Sequence, residues 1–172
     1  MKRFIRNCCR LLFVCSLLTL LHGCNNEDDI IQVFTGKTWK LCRLTDKGSS
    51  APFHSGIWSN NKDMEASLNK LNVETPYFTL TFEGEELEGE LIGAKVSGQG
   101  SGATFSGTWN ADSKSRTLTL DLKVQGAEND ALGKAFINGL QNVFKYEGDI
   151  HSLTLYFKDG GVTRVMGFAP NK

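Results

Sequence analysis

Few side chains in this chain of 172 residues have the types and spacing to do chemistry. Beyond the first 23 residues the histidines are His54 and His151. A transition-metal site wants three or four convergent ligands, and neither Cys-x-x-Cys nor His-Glu-x-x-His accompanies them, so no metal is expected. Gly98-Gln99-Gly100-Ser101-Gly102 falls short of both the dinucleotide fingerprint and the phosphate loop, and there is no Gly-x-Ser-x-Gly elbow. It reads as a flexible connection between strands. Glu83 with Glu85, and Glu88 with Glu90, have the chemistry of a general acid and base. They lie in or beside a turn with no pocket to raise one pKa, and read as solvated strand charges. With no activated group in view, the sequence points away from an enzyme and from any cofactor.

Binding chemistry is better represented. Phe53, Ile57 and Trp58 fall in a long connection, residues 46–76, where apolar groups have no strand of their own to pack against. As a lid they would gate a ligand; as core they would close the mouth of the fold together with Met64, Leu68 and Leu71. Both readings stand at this level. The candidate ligand-binding residues of this connection are therefore Phe53, Ile57 and Trp58.

The elements that must position these residues follow from periodicity. Ile30 to Phe34 is a short plug or helical turn. Lys37 to Thr45 is a first strand with Trp39 and Leu41 on one face and Cys42 and Leu44 on the other. In that run Cys42 reads as a small buried hydrophobe rather than a reactive thiol. An amphipathic helix carries Met64, Leu68 and Leu71 at i, i+4 and i+7. Phe78, Leu80 and Phe82 then alternate, Glu83 to Glu86 reads as a tight turn, and residues 87–97 as a weaker strand. Ala103, Phe105, Gly107 and Trp109 face Leu118, Leu120, Leu122 and Val124 across a turn at 110–115, the clearest hairpin in the chain. Residues 126–143 read as a helix capped near Asn129 or Asp130, with Leu132, Ala135, Phe136, Leu140 and Val143 as its apolar stripe. Strands at 144–148, 152–158 and 162–169 finish the chain, the last two joined by Asp159-Gly160.

Eight such strands, each with one apolar face, must cover that face and two open edges. An all-β, eight-stranded antiparallel up-and-down barrel with two inserted short helices does both. A two-sheet sandwich is the rival, and periodicity does not separate the two. If strands alternate up and down, the connections at 46–76, 98–102 and 126–143 share one rim and the plug sits at the other end. Variable loops on a rigid scaffold make that outward rim the expected binding site.

The N-terminus carries a different message. A cationic start and an apolar run from Leu11 to Leu21, too short to span a bilayer, have the build of a signal peptide over residues 1–23. Its end, Leu21-His22-Gly23-Cys24, resembles the lipobox of bacterial lipoproteins, which implies a lipid anchor on Cys24; an ordinary signal peptide that happens to contain Cys24 is the other reading. The acidic run over residues 25–29 reads as a solvated tether and resembles the surface-export tags of some Gram-negative lipoproteins. Without Asp at position 25 it departs from the inner-membrane retention signal. The resemblance thus implies the outer membrane of a Gram-negative cell. Removing the leader leaves four more acids than bases, so no nucleic-acid partner is expected.

Residues 30–172 form the remaining domain, and their order of elements resembles the lipocalin-like (calycin) domains. Lipocalins open with an apolar turn and Gly-x-Trp; here Gly36-Lys37-Thr38-Trp39 carries one residue more, and Gly107-Thr108-Trp109 has the spacing on another strand. The resemblance implies a barrel, a lid in the first rim loop, and an arginine on the last strand packed over the tryptophan, a place Arg164 would take; it thereby adds Trp39, Trp109 and Arg164 to the candidate ligand-binding residues. The expected function is a monomeric, non-catalytic, lipid-anchored protein that binds a small apolar ligand at its outward rim. The alternative is a filled barrel that recognises another envelope protein or a glycan through the same loops.

Overall fold

Strands with one apolar face satisfy it, and both their edges, by wrapping the sheet on itself. The computed structural model does so: eight antiparallel strands form a closed barrel in chain order. It describes residues 29–171 apart from 74–76 and 89, so the leader and Cys24 lie outside the described residues. The elements are α1 (Ile30–Phe34), β1 (Thr38–Asp46), α2 (Asn61–Leu71), β2 (Thr79–Leu87), β3 (Glu90–Gln99), β4 (Ala103–Asp112), β5 (Thr117–Gly126), α3 (Ala131–Gln141), β6 (Val143–Gly148), β7 (Leu153–Asp159) and β8 (Val162–Pro170). Closure is made by β1 against β8, from Trp39 opposite Pro170 to Asp46 opposite Arg164. That ladder removes the sandwich.

The plug is a helical turn, α1, which with the two inserted helices makes three among the described residues. Two details of the sheet differ from the sequence reading. In β1 the register with β8 shifts between Leu41 and Arg43. This bulge spends one residue without crossing the sheet, so Leu41 and Leu44 both point inward and Cys42 is exposed, not buried. Glu83 to Glu86 is likewise a bulge rather than a turn. Gly84, at φ +150°, lets β2 continue to Leu87, with Glu85 paired to Ile92.

Aromatic rings fill the interior at two levels. At the α1 end Phe34 enters the barrel, its ring centroid 4.7 Å from Phe82, 5.0 Å from Trp109 and 4.9 Å from Tyr146. The buried indoles are satisfied by carbonyls: Trp39 Nε1 donates to Phe34 O at 3.1 Å and Trp109 Nε1 to Glu83 O at 2.8 Å. From the other end α3 inserts its apolar stripe. Phe136 lies 6.2 Å from Phe78, 6.0 Å from Phe105 and 6.2 Å from Phe168. A side chain at Gly139 would meet Met166 Sδ at 2.9 Å, so a larger residue there would require the Met166 side chain to move. Phe34 and Phe136 are both fully buried. The helix at the mouth is thus a stopper that is part of the core.

Candidate functional site

With the interior occupied, the rim that carries α2 and α3 is where surface chemistry concentrates. The β1–β2 connection begins by adding a short parallel bridge to β1, Leu44 with Phe53. Leu44 N–H donates to Pro52 O at 2.8 Å, and His54 N–H to Leu44 O at 3.0 Å. This fixes Phe53 against the barrel mouth. Its ring meets Trp58 edge-on at 5.5 Å, an arrangement favoured by the aromatic quadrupole. Asn60 then caps α2, accepting Asp63 N–H at 3.0 Å, and the helix lays Met64 and Leu68 beside the pair. Phe53, His54, Trp58, Asn61, Met64 and Leu68 line an open cleft of about 440 Å³, within the size range of small-molecule sites.

Polar groups beneath the cleft hold it in shape. Trp58 Nε1 donates to Ser67 Oγ at 2.9 Å, and Ser67 donates in turn to Asp130 Oδ1 at 2.9 Å. The same Asp130 oxygen caps α3 by accepting Gly133 N–H at 3.1 Å, while Oδ2 pairs with Lys70 at 3.1 Å. Ser67 and Asp130 are buried. One carboxylate therefore starts α3, ties it to α2 and, through Ser67, sets the plane of the Trp58 ring.

A second carboxylate ties down the loop read as flexible. Glu128 accepts Ser101 N–H at 2.7 Å, Ser101 Oγ–H at 3.0 Å, Gly102 N–H at 3.0 Å and Asp130 N–H at 3.0 Å. Burial on its own pushes Glu128 up, but the donors from Gly102, Asp130 and Ser101 outweigh it and hold the carboxyl below its usual range. A side chain at Gly100 would lie 2.2 Å from its carboxylate oxygen. Gly100 makes room for a carboxylate of the protein's own, not for a bound phosphate.

The sequence-derived candidates divide between two places. Phe53 and Trp58 line the cleft, with Ile57 half-buried against the core beside them. Trp109 belongs to the ring cluster around Phe34 and Trp39 donates to the Phe34 carbonyl, and neither lines the cleft. Arg164 does not pack over Trp39. Strand register places it opposite Asp46, to which Nε donates at 2.9 Å, and it also pairs with Asp159. It thereby closes the rim edge of the sheet. His54 borders the cleft within range of this cluster. Burial and then the Arg164 charge lower its pKa, against the pull of Asp46. The neutral ring fits its contact, Nδ1 accepting Gly56 N–H at 3.2 Å. Ser67 escaped sequence reasoning because its partner lies 63 residues away.

Among the described residues no group of three or more His, Cys, Asp or Glu side chains is placed to hold a metal ion. What the cleft offers is shape, an aromatic pair, and a polar fringe of Asn61 and His54.

Comparisons with known proteins agree with the architecture. A family model described as a domain of unknown function, DUF4847, matches residues 25–170. Among solved structures, a crystal structure of a DUF4847 family protein from Bacteroides vulgatus ATCC 8482 is similar, with a TM-score of 0.58 and 20% identity over 84% of this chain and 98% of that one. No curated protein matches.

Proposed function

This chain belongs to the DUF4847 domain family, and from that premise we propose that it is a non-catalytic binding lipoprotein of the cell envelope. Cys24 carries the lipid anchor to the outer membrane, and the rim away from the tether takes a small, largely apolar ligand. The observation that carries this reading is the cleft of Phe53, Trp58, Met64 and Leu68, set on a barrel whose own interior is occupied by Phe34 and Phe136. Apolar ligands of a lipocalin-like barrel would ordinarily go inside it. Here the preformed apolar concavity lies outside, between α2 and the Phe53 segment. Native mass spectrometry of gently purified full-length protein tests it. A small co-purifying species is expected, lost in Trp58→Ala; absence of any bound mass in the wild type contradicts it. The anchor has its own test, since Cys24→Ser should abolish incorporation of labelled fatty acid.

The filled barrel favours a second reading as well, in which the cleft receives a side chain of another envelope protein. An aromatic-lined surface pocket is the usual place for such an anchor. Capture of a protein partner that Trp58→Ala abolishes, with no small species bound, would favour it over the first.

A further inference from the structure

The barrel wall is uneven. β5 pairs with β4 along its whole length, from Thr117 opposite Asp112 to Gly126 opposite Ala103. Its other edge meets β6 at a single pair, Thr117 with Lys145. Around that pair Tyr146 N–H donates to Arg116 O at 2.9 Å. The backbone groups that face β6 are therefore those of the even-numbered residues of β5. Above Leu118, the N–H and C=O of Leu120, Leu122 and Val124 point toward no strand among the described residues. Their side chains share the inward face, yet burial fades along them, from Leu118 with no exposure to Val124 at 39%. α3 packs against β5 and β7, but its stripe turns into the mouth toward Phe78, Phe105 and Phe168, and among the described residues none of its backbone groups bonds to Leu120, Leu122 or Val124. Folded proteins commonly blunt such an edge with proline or charge; on this one the charges, Asp121 and Lys123, lie on the outward face, and the inward positions are two leucines and a valine.

We propose that a second copy of this chain covers this edge, the two β5 strands pairing antiparallel about a two-fold axis at Leu122. The sequence from Thr119 to Gln125 is complementary to itself in that register. Leu122 lies opposite Leu122 of the second copy, and Leu120 opposite Val124. Each of these pairs uses backbone groups that already face the edge, so each exchanges both N–H···O bonds. On the outward face Asp121 comes opposite Lys123 of the second copy, and Lys123 opposite Asp121, as non-hydrogen-bonded neighbours about 4.5 Å apart at Cα. Asp121 and Lys123 are both exposed. Opposite charges meet twice, and only in this register. The contact is isologous, as two-fold dimers require, and it replaces the monomer expected from sequence while leaving the cleft beside α2 open.

Light scattering of full-length, thiol-reduced protein in detergent tests the proposal. The wild type should show the mass of two chains. Asp121→Lys or Lys123→Asp sets like charges opposite each other twice and should weaken the dimer about tenfold or more. The double variant D121K/K123D restores the complement and should restore the dimer, which also shows that the single variants failed through charge and not through misfolding. A wild type that stays at one chain mass up to about 1 mM overturns the proposal. So does a dimer indifferent to the single reversals, or a double variant that remains monomeric.

Discussion

Phe34 and Phe136, more than a hundred positions apart in the chain, enter the same barrel from opposite ends, and both are fully buried. Phe34 closes the end that carries α1, and Phe136 brings a helix down through the mouth. The apolar concavity of the molecule therefore lies at the rim, beside α2.

If α3 is core and not ornament, Phe136→Ala should behave as a large-to-small core substitution. Urea unfolding should show a loss of about 3–5 kcal/mol, whereas Phe53→Ala, at the half-buried rim, should cost much less. A loss below about 1 kcal/mol for Phe136→Ala would mean that the helix only rests on the mouth.

Ser67 stands between Trp58 and Asp130, so Ser67→Ala leaves a half-buried indole N–H without its acceptor and the buried Asp130 without one donor. The expected cost is about 1–3 kcal/mol. The specific sign is exchange of the Trp58 indole proton, slow in the wild type and fast in the variant. Exchange that Ser67→Ala leaves unchanged would detach Trp58 from the two-helix network.

Glu128 gives a pH signature. Its folded pKa is depressed below the usual 4.5, so its contribution to stability is fully present above that value. It disappears as pH falls through the folded pKa. Glu128→Gln should therefore be destabilised relative to wild type at neutral pH, with the gap narrowing below about pH 4. Thermal melts across that range check it; a gap that widens on acidification would reverse the sign.

Much of this architecture was legible in the chain. Period-two runs and the Asp159-Gly160 turn mark the strands, and the stripe of Leu132, Phe136 and Leu140 marks α3. Periodicity says that a face is apolar, not what it meets, so the stripe did not reveal that α3 enters the barrel. The bulge at Cys42 was hidden because one residue spent in a bulge flips every later side chain, and nothing in the local sequence announces it. Family resemblance places Arg164 over Trp39, whereas strand register pairs it with Asp46. Of the cleft, Phe53 and Trp58 were visible as apolar residues in a loop. Ser67 and Asp130, which hold them, come together only through the contact of two helices.

That bulge carries its own test. Cys42 is exposed, so a charged maleimide should label the native protein at this position without denaturant. Labelling that required unfolding would return the thiol to the core.

The location of binding is tested most directly by crystals of the protein soaked with iodobenzene, whose heavy atom reports where small apolar molecules settle. Iodine density is expected in the rim cleft, between Phe53, Trp58 and Leu68. Density inside the barrel, between Phe82 and Phe105, with the cleft empty, would contradict the account.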